Sequence, residues 1–431
     1  MMTKQISNWS GSVLFSPQEM LYPTTEQEIL DIVQKAIQNK KTIRVVGSAH
    51  SFTPLIETNH ILLSLDCYTG IIEVNKERMH VVVKAGTKIK AFGELAFAQG
   101  VAQENLGDID VQALAGAIST GTHGTGLAFG NVSSQLFAIK FINGKGEIVY
   151  CSEEENPTLF KACQVSLGTF GIITELTFKV LPSYKLEFIS KSEPIEEVFK
   201  QLDHHNQTTR NFEFYWFPYT SRAQTKYSQV STKEIVENKV GAWMDNVLEN
   251  DLFNAISYPT LHFPSWSKYV AKISGALAGT SAKVNWSHRV YALPRHVRFN
   301  EMEYCVPLED YITVKKEIIR VFNQKKFHVH FPTENRFVKA DDIWISPSYK
   351  RTSAYISFHV YKGKAYQDYF KTMEEICSHY GGRPHWGKMH TKEAKDLSLL
   401  YEKWDDFLQI RKQQDPDNLF ASDYIKRIFG L

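Results

Sequence analysis

Ala115–Gly126 reads AGAISTGTHGTG and holds four glycines, four hydroxyl side chains and one histidine within twelve residues. Glycine permits positive φ angles and close approach of a ligand, and hydroxyl groups together with successive backbone N–H groups can bind an anion. The spacing GxxGxG differs from the GxGxxG dinucleotide fingerprint, and no Gly-Lys-Ser/Thr follows as in a P-loop. The stretch therefore predicts a phosphate or pyrophosphate cradle, with a Gly/Ser/Thr-rich surface loop as the alternative.

A second stretch, Thr42–Ser51, reads TIRVVGSAHS: a short β-branched strand, a Gly-Ser-Ala turn and then His50. Together the two stretches resemble the FAD-binding domain of the vanillyl-alcohol oxidase superfamily, and within it the sugar-1,4-lactone oxidase and alditol oxidase branch. The resemblance implies an α+β, two-domain flavoprotein with a PCMH-type FAD-binding domain and an antiparallel-sheet cap domain that holds the substrate. In that branch the histidine of the turn carries FAD covalently through the 8α-methyl group, which here is His50. We find no cysteine placed for a second attachment, so a single bond is expected.

The resemblance also implies a set of cofactor-binding residues in three segments: the turn, the glycine-rich loop and the start of a later strand. They are Val46, Gly47, Ser48, Ala49, His50, Ser51, Gly116, Ser119, Gly121, Thr122, His123, Gly124, Thr125, Gly171 and Ile173. His123 could act as a catalytic base, but the neighbouring hydroxyls and amides favour a packing or phosphate-contact role.

Composition limits the remaining possibilities. The chain has 431 residues, 43% of them hydrophobic, which is enough for two domains. Its 49 basic and 47 acidic side chains argue against nucleic acid as the main partner. Five widely spaced cysteines without a CxxC pair indicate reduced, mostly buried thiols and a cytoplasmic protein. Met1–Ser10 lacks the apolar core of a signal peptide, and no apolar run is long enough to span a bilayer.

The order of elements predicts a cofactor domain over residues 1–182, a substrate-binding cap over 183–382 and a C-terminal segment, 383–431, that returns to the flavin site. A helix is predicted over Thr25–Lys40 with a Thr25/Glu28 capping box, and a second over Thr87–Gln99 capped by Thr87 and stopped by Gly100. Further expected elements are a hairpin at Asn143–Gly146, a helix-rich region over Glu234–Trp286, a strand over Phe327–Phe337, and a large sheet covered on one side by helices.

Glu334 and Arg336 are two residues apart on the predicted strand, so their side chains share a face, with His328 and His330 further along it. On the sequence alone a structural ion pair is the simpler explanation. The family resemblance instead implies that this Glu-x-Arg pair binds substrate hydroxyls, that His359 on the strand Ser353–Tyr361 binds substrate, and that Lys388 of the HWGK motif is an active-site lysine. Without the resemblance, His359 would be an ordinary strand histidine and Lys388 a solvated loop lysine.

His385 and His390 flank Lys388, but no third ligand at a recognisable spacing accompanies them, so no metal is expected. The predicted reaction is oxidation of a CH–OH group by hydride transfer to flavin N5. Glu334 would orient hydroxyls and help remove the proton, and Arg336 and Lys388 would stabilise negative charge. The electron acceptor is O₂, an acceptor protein or a quinone. Two alternatives remain: a flavoenzyme of the same fold acting on another alcohol or hydroxy acid, and a non-enzymatic dinucleotide binder.

Overall fold

A computed structural model of the chain describes residues 5–235, 252–277, 279–292 and 297–431. Part of the region expected to be helix-rich, 236–251 with residue 278, lies outside these ranges. Across the described residues, no helix combines the length and the hydropathy needed to cross a bilayer.

The first part of the chain builds two main sheets around one hydrophobic core. A three-stranded parallel sheet has the order β3-β5-β4, and a five-stranded antiparallel sheet has the order β10-β9-β11-β7-β6 within the described residues. The strands are β1 Ile6–Ser7, β2 Leu14–Phe15, β3 Glu19–Leu21, β4 Ile43–Val46, β5 Ile61–Ser64, β6 Ile71–Asn75, β7 His80–Lys84, β8 Val101–Ala102, β9 Leu136–Asn143, β10 Ile148–Ser152 and β11 Gly171–Lys179. The helices are α1 Glu26–Gln38, α2 Ile89–Ala98, α3 Leu114–Ser119 and α4 Pro157–Cys163.

Strand β12 Leu181–Pro182 pairs with β8 in a two-stranded antiparallel sheet. The strands after it form one eight-stranded antiparallel sheet of order β16-β13-β15-β14-β18-β19-β17-β20, again counted over the described residues. These eight strands are β13 Lys185–Pro194, β14 Asn211–Trp216, β15 Arg222–Ser231, β16 Ser281–Trp286, β17 Phe299–Pro307, β18 Thr333–Val338, β19 Ser353–Tyr361 and β20 Arg383–Pro384. The helices are α5 Ile195–Lys200, α6 Leu202–Thr208, α7 Phe253–Ser257, α8 Ser267–Leu277, α9 Ser287–Tyr291, α10 Tyr311–Lys325, α11 Gln367–His379, α12 Ala394–Leu397, α13 Trp404–Gln414 and α14 Asp423–Phe429. The apolar faces of α10 and α11 pack on one side of this sheet, which confirms the prediction of a helix-covered sheet.

Several local predictions are confirmed. The N-cap half of the predicted capping box is present at the start of α1, where the hydroxyl of Thr25 accepts the N–H of Glu28, while the Glu28 carboxylate accepts the N–H of Thr24. Ile29, Val33 and Ala36 form the buried side of this helix. The Asn143–Gly146 turn joins β9 and β10 as an antiparallel hairpin. Four of the five cysteines are buried and all five are free, as their wide spacing indicates.

Two local predictions are wrong. Helix α2 follows Lys88 and not Thr87, because the Thr87 hydroxyl instead accepts the N–H of Gly70. The strand expected from Phe327 begins at Thr333, directly after Pro332, whose nitrogen has no hydrogen to give to a sheet ladder. His330 consequently lies outside the strand, and its Nε2 is 2.8 Å from the hydroxyl of Ser257.

Candidate functional site

A cavity lies where the turn after β4 faces α3 and the start of β11. The empty space in and in front of it, including space open to solvent, is about 930 Å³. Its walls include ten of the predicted cofactor residues: Val46, Gly47, Ser48, Ala49, His50, Ser51, Gly116, Ser119, Gly171 and Ile173. Residues far apart in the sequence thus meet at one cavity. Its glycine-, serine- and backbone-rich wall fits a dinucleotide cofactor such as FAD.

Close packing forces the shape of the β4 turn. A Cβ on Gly47 would lie 2.9 Å from the Cβ of Ala113, and Ala49 has a φ of 53°, in the left-handed region. Beneath the turn, the buried guanidinium of Arg44 donates to the carbonyl oxygens of Leu55, Leu167, Gly168 and Phe420 over 2.6–3.1 Å. Arg44 therefore fixes the cavity floor, a role that sequence reasoning missed because its partners are carbonyls from distant segments.

His50 borders the cavity and stacks on Trp9, with ring centroids 5.2 Å apart and an interplanar angle of 20°. Burial, reinforced by the positive charge of Lys388, lowers the pKa of His50 to about 4. The imidazole is therefore neutral near pH 7 and keeps a nitrogen lone pair for bond formation.

The other five predicted cofactor residues, Gly121–Thr125, are not in the wall of this cavity. A Cβ on Gly124 would lie 2.2 Å from the carbonyl oxygen of Leu106, so internal packing already requires a glycine at this position. The Thr125 hydroxyl accepts the N–H of Phe337, and the N–H of Gly126 donates to the Phe337 carbonyl over 2.7 Å. This half of the loop thus joins the cofactor region to the large sheet.

The face of the large sheet opposite α10 and α11 is polar. Strand register places Glu334 between Tyr215 and Ser357, and Ser357 next to Glu303. We call the following set the polar face: Glu213 and Tyr215 of β14, Glu334 and Arg336 of β18, Ser357 and His359 of β19, and Glu301 and Glu303 of β17. Alternation along each strand puts these side chains on one side of the sheet, as period-two geometry requires.

Arg336 is surrounded by carboxylates. Its guanidinium lies 2.5 Å from Glu334 Oε1, 3.0 Å from Asp108 Oδ1 and 2.9 Å from Glu213 Oε2. The Tyr215 hydroxyl donates to Glu334 over 2.8 Å. Burial, together with the nearby negative charges of Asp108 and Glu213, outweighs the attraction of Arg336 and raises the pKa of Glu334 to about 7. Glu334 can therefore take up and release a proton near neutral pH.

Lys388 reaches the same face through Glu301. Its Nζ forms an ion pair with Glu301 Oε2, and His359 Nε2 lies 3.4 Å from Glu301 Oε1. Burial alone would lower the pKa of Lys388, but the attraction of Glu301 outweighs it and leaves the pKa above its ordinary value. His359 Nδ1 is 3.1 Å from the carbonyl of Pro332, so this nitrogen carries a hydrogen and Nε2 faces the carboxylate. Lys388 is therefore a half-buried, paired cation and not a fully solvated loop residue.

Glu303, two residues after Glu301 on β17, forms a second histidine–carboxylate pair. His123 Nε2 is 3.4 Å from Glu303 Oε1, and its Nδ1 donates to the carbonyl of Gly124 over 2.9 Å. His385 lies close to this pair. One ring nitrogen of His385, one of His123 and a carboxylate oxygen of Glu303 all lie within 4.8 Å of one another. The Nδ1 of His385 accepts the N–H of Gly387, so the neutral ring carries its proton on Nε2. His390 lies elsewhere, with Nε2 3.1 Å from the Tyr424 hydroxyl, so His385 and His390 do not share a site.

An aromatic path connects the cavity with the polar face. Trp9, which stacks on His50, lies edge-on to Phe299 with centroids 5.1 Å apart, and Phe299 lies edge-on to His359 at 4.9 Å. Lys388 Nζ lies 5.0 Å above the ring centroid of Phe52, next to the His50 turn. The predicted catalytic residues and the predicted attachment histidine thus belong to one region.

Comparison with known proteins places the chain among flavin enzymes. The D-arabinono-1,4-lactone oxidase family model matches residues 176–428, and an FAD-binding domain model matches residues 17–152. L-gulono-1,4-lactone dehydrogenase of Mycobacterium tuberculosis is 32% identical, with 98% of this chain and 99% of the relative covered. L-gulonolactone oxidase of Scyliorhinus torazame is 29% identical over 99% of this chain and 98% of its own.

Among solved structures, cholesterol oxidase from Brevibacterium sterolicum superposes with a TM-score of 0.84 at 18% identity, covering 99% of this chain and 97% of its own. This likeness concerns the fold alone. With the FAD-binding domain match, it confirms the predicted α+β flavoprotein fold.

Proposed function

Because the chain belongs to the D-arabinono-1,4-lactone oxidase family, we propose that it is an FAD-dependent oxidoreductase that oxidises a CH–OH group of a sugar-1,4-lactone or alditol. The observation that carries this proposal is the polar face, where Glu334 and Arg336 are buried and Glu301 pairs with the half-buried Lys388, which lies next to the His50 turn of the cavity wall. In this proposal residues 1–182 bind the cofactor, 183–382 cover it, and 383–431 bring Lys388 back to the site.

Bound FAD would supply the two-electron acceptor for the hydride that leaves the substrate carbon. The residues proposed to hold it are the ten in the cavity wall, and Gly121–Thr125 would support them from the adjoining loop. His50 is proposed as the covalent attachment point, which is supported by its neutral imidazole and its position at the cavity wall. The cytoplasm is the proposed compartment.

Glu334 is proposed to take the proton of the reacting hydroxyl group, since its pKa of about 7 matches that task. Arg336 and Lys388 would stabilise the negative charge that develops on the substrate oxygen, and the burial of Arg336 strengthens its effect. His359 would hydrogen-bond a second substrate hydroxyl. Sugar lactones present several hydroxyl groups, and this dense set of charged and hydrogen-bonding side chains is suited to them.

The test is anaerobic mixing of flavin-loaded protein with L-gulono-1,4-lactone, D-arabinono-1,4-lactone and a series of alditols. We expect at least one of them to bleach the flavin's visible absorbance. Bleaching by a hydroxy acid or another alcohol alone would assign the protein to a different substrate class, and protein that binds no flavin would contradict the enzyme proposal. Because the relatives include both an oxidase and a dehydrogenase, hydrogen peroxide release in air then distinguishes O₂ from an acceptor protein or quinone.

A further inference from the structure

Helix α8 and the turn before it carry a group of exposed apolar side chains. We call this group the outer patch; it consists of Tyr258, Phe263, Trp266, Tyr269, Ile273 and Leu277. Each of these side chains is 49–58% exposed, which is unusual for six large apolar residues within twenty positions. Phe263 and Trp266 stack on each other with centroids 4.9 Å apart, so the patch includes a paired aromatic surface.

The exposed side of α8 is itself amphipathic. Tyr269, Ile273 and Leu277 follow each other at intervals of four residues and form an apolar stripe, and Lys268 and Lys272 form a parallel stripe beside it. The opposite side of the helix buries small residues, including Ala271 and Gly275, against the protein. A helix that lies in a membrane interface has this arrangement, with an apolar stripe directed to the bilayer and lysines beside it.

The inner side of the same segment is firmly attached to the rest of the fold. Phe253 packs edge-on against Phe331 with centroids 4.8 Å apart, and the Tyr361 hydroxyl donates to Asn254 over 2.7 Å. The Ser267 hydroxyl donates to the carbonyl of His328 over 3.1 Å. The segment that carries the outer patch is therefore packed against the rest of the protein on its inner side, and only its outer side is exposed.

Charge in this part of the sequence is one-sided. From Leu252 to Asn300 there are six lysine and arginine residues and no aspartate or glutamate, although the whole chain is nearly balanced at 49 to 47. Arg289 is paired with Glu94, but Lys268 and Lys272 lie on the exposed side of α8 beside the apolar stripe. The patch thus combines apolar rings with positive charge, which complements an anionic lipid surface.

We propose that the outer patch binds peripherally to the surface of an anionic phospholipid bilayer. Tryptophan and tyrosine rings prefer the headgroup region of bilayers, and lysines next to them are attracted by anionic headgroups. A second copy of the chain fits less well, because pairing the same patch with itself would bring the lysine stripes of two copies together. The interaction is independent of the reaction proposed above.

The experiment is co-sedimentation of the flavin-loaded protein with vesicles, one set of pure phosphatidylcholine and one an equal mixture of phosphatidylcholine and phosphatidylglycerol. We expect binding to the mixed vesicles that weakens as salt is added. The double variant Lys268→Gln/Lys272→Gln should bind on the order of five-fold more weakly for each lysine removed. The variant Trp266→Ser/Tyr269→Ser should bind about ten-fold more weakly or worse. A matched control, Lys395→Gln/Leu399→Ser, changes an exposed lysine and an 87% exposed leucine elsewhere and should bind as the wild type does.

The proposal is overturned if the wild type does not sediment with the mixed vesicles at low salt, or if both patch variants sediment as well as the control. Light scattering of the protein alone tests the second copy: a wild-type dimer that Trp266→Ser/Tyr269→Ser converts to a monomer would assign the patch to self-association. Retention on an acidic protein with no vesicle binding would likewise overturn it. Melting temperature and flavin content verify that each variant is folded, and the lysine variant, which changes only exposed side chains, keeps the test valid if the aromatic variant fails to fold.

Discussion

Replacement of Glu334 by glutamine tests the proposed base directly, because glutamine keeps the size of the side chain and removes its ability to accept a proton. Burial next to Asp108 and Glu213 raises the pKa of Glu334 to about 7. In the wild type the ionised fraction, and with it the rate of flavin reduction, should fall about ten-fold for each pH unit below that value. Glu334→Gln should slow the reaction about a hundred- to ten-thousand-fold near neutral pH and abolish this dependence.

The assay is anaerobic stopped-flow mixing with saturating substrate, in which the loss of flavin absorbance is followed across the pH range. Two neighbouring carboxylates provide matched controls, since each contacts Arg336 and each contributes to the raised pKa of Glu334. Glu213→Gln and Asp108→Asn should keep the sigmoidal pH dependence but move its midpoint to lower pH, because less negative charge then opposes ionisation of Glu334.

Glu334 is not the base if Glu334→Gln retains the wild-type midpoint, or if the two controls leave the midpoint unchanged. A purely structural ion pair predicts a different result. Breaking the Glu334–Arg336 pair on one side would then lower the melting temperature, commonly by the equivalent of about 3–5 kcal/mol, and the folded fraction would reduce its flavin at the normal rate.

Three further outcomes are expected. His50→Ala should bind flavin that acid precipitation releases into the supernatant, whereas wild-type pellets stay yellow; a colourless wild-type pellet would exclude the covalent bond. Gly116→Val should fold normally but lose flavin, because a Cβ there meets no protein atom and the residue lines the cavity. Gly124→Ala should instead lower the melting temperature by the equivalent of about 1–3 kcal/mol, because its Cβ would lie 2.2 Å from a backbone carbonyl oxygen. Equal flavin content in the two variants would contradict this distinction. Glu301→Gln should weaken substrate binding and flavin reduction with little loss of bound flavin, as measured by the absorbance ratio of the purified protein, and wild-type kinetics would contradict its role.

Local chemistry in the sequence was sufficient to predict part of this structure. The capping threonine of α1, the glycine-containing hairpin after β9 and the Glu334/Arg336 alternation each depend on residues within a few positions of one another. The residues of the cavity wall could be predicted in the same way, since His50 and Gly116 belong to short segments that resemble those of known FAD-binding domains. Such features can be predicted because turn chemistry and strand alternation act over short distances.

The partners of the predicted residues could not be found in this way. No motif in the surrounding sequence marks the acidic residues Asp108, Glu213 and Glu301. Only strand register and loop packing bring them next to Arg336 and Lys388. The alternation of residues along β14 places Glu213 on one face of that strand, but it does not specify which strand will pair with it. Register depends on the burial of whole strands and on long connections, which one sequence does not specify.

The two glutamates that set the electrostatics of the polar face have opposite effects on stability. Glu301, whose burial is outweighed by Lys388 and His359, has a pKa lowered from 4.5 to about 2, so its contribution is present above pH 4.5 and is lost as pH falls towards 2. Glu334 has a pKa raised from 4.5 to about 7, so its contribution is present below pH 4.5 and is lost as pH rises through 7. Near neutral pH the stabilising contribution of Glu301, which keeps Lys388 charged, is therefore fully present, and part of the stabilising contribution of Glu334 has been lost. A structural carboxylate would gain nothing from such a position, whereas a base must release its proton in the pH range in which it works.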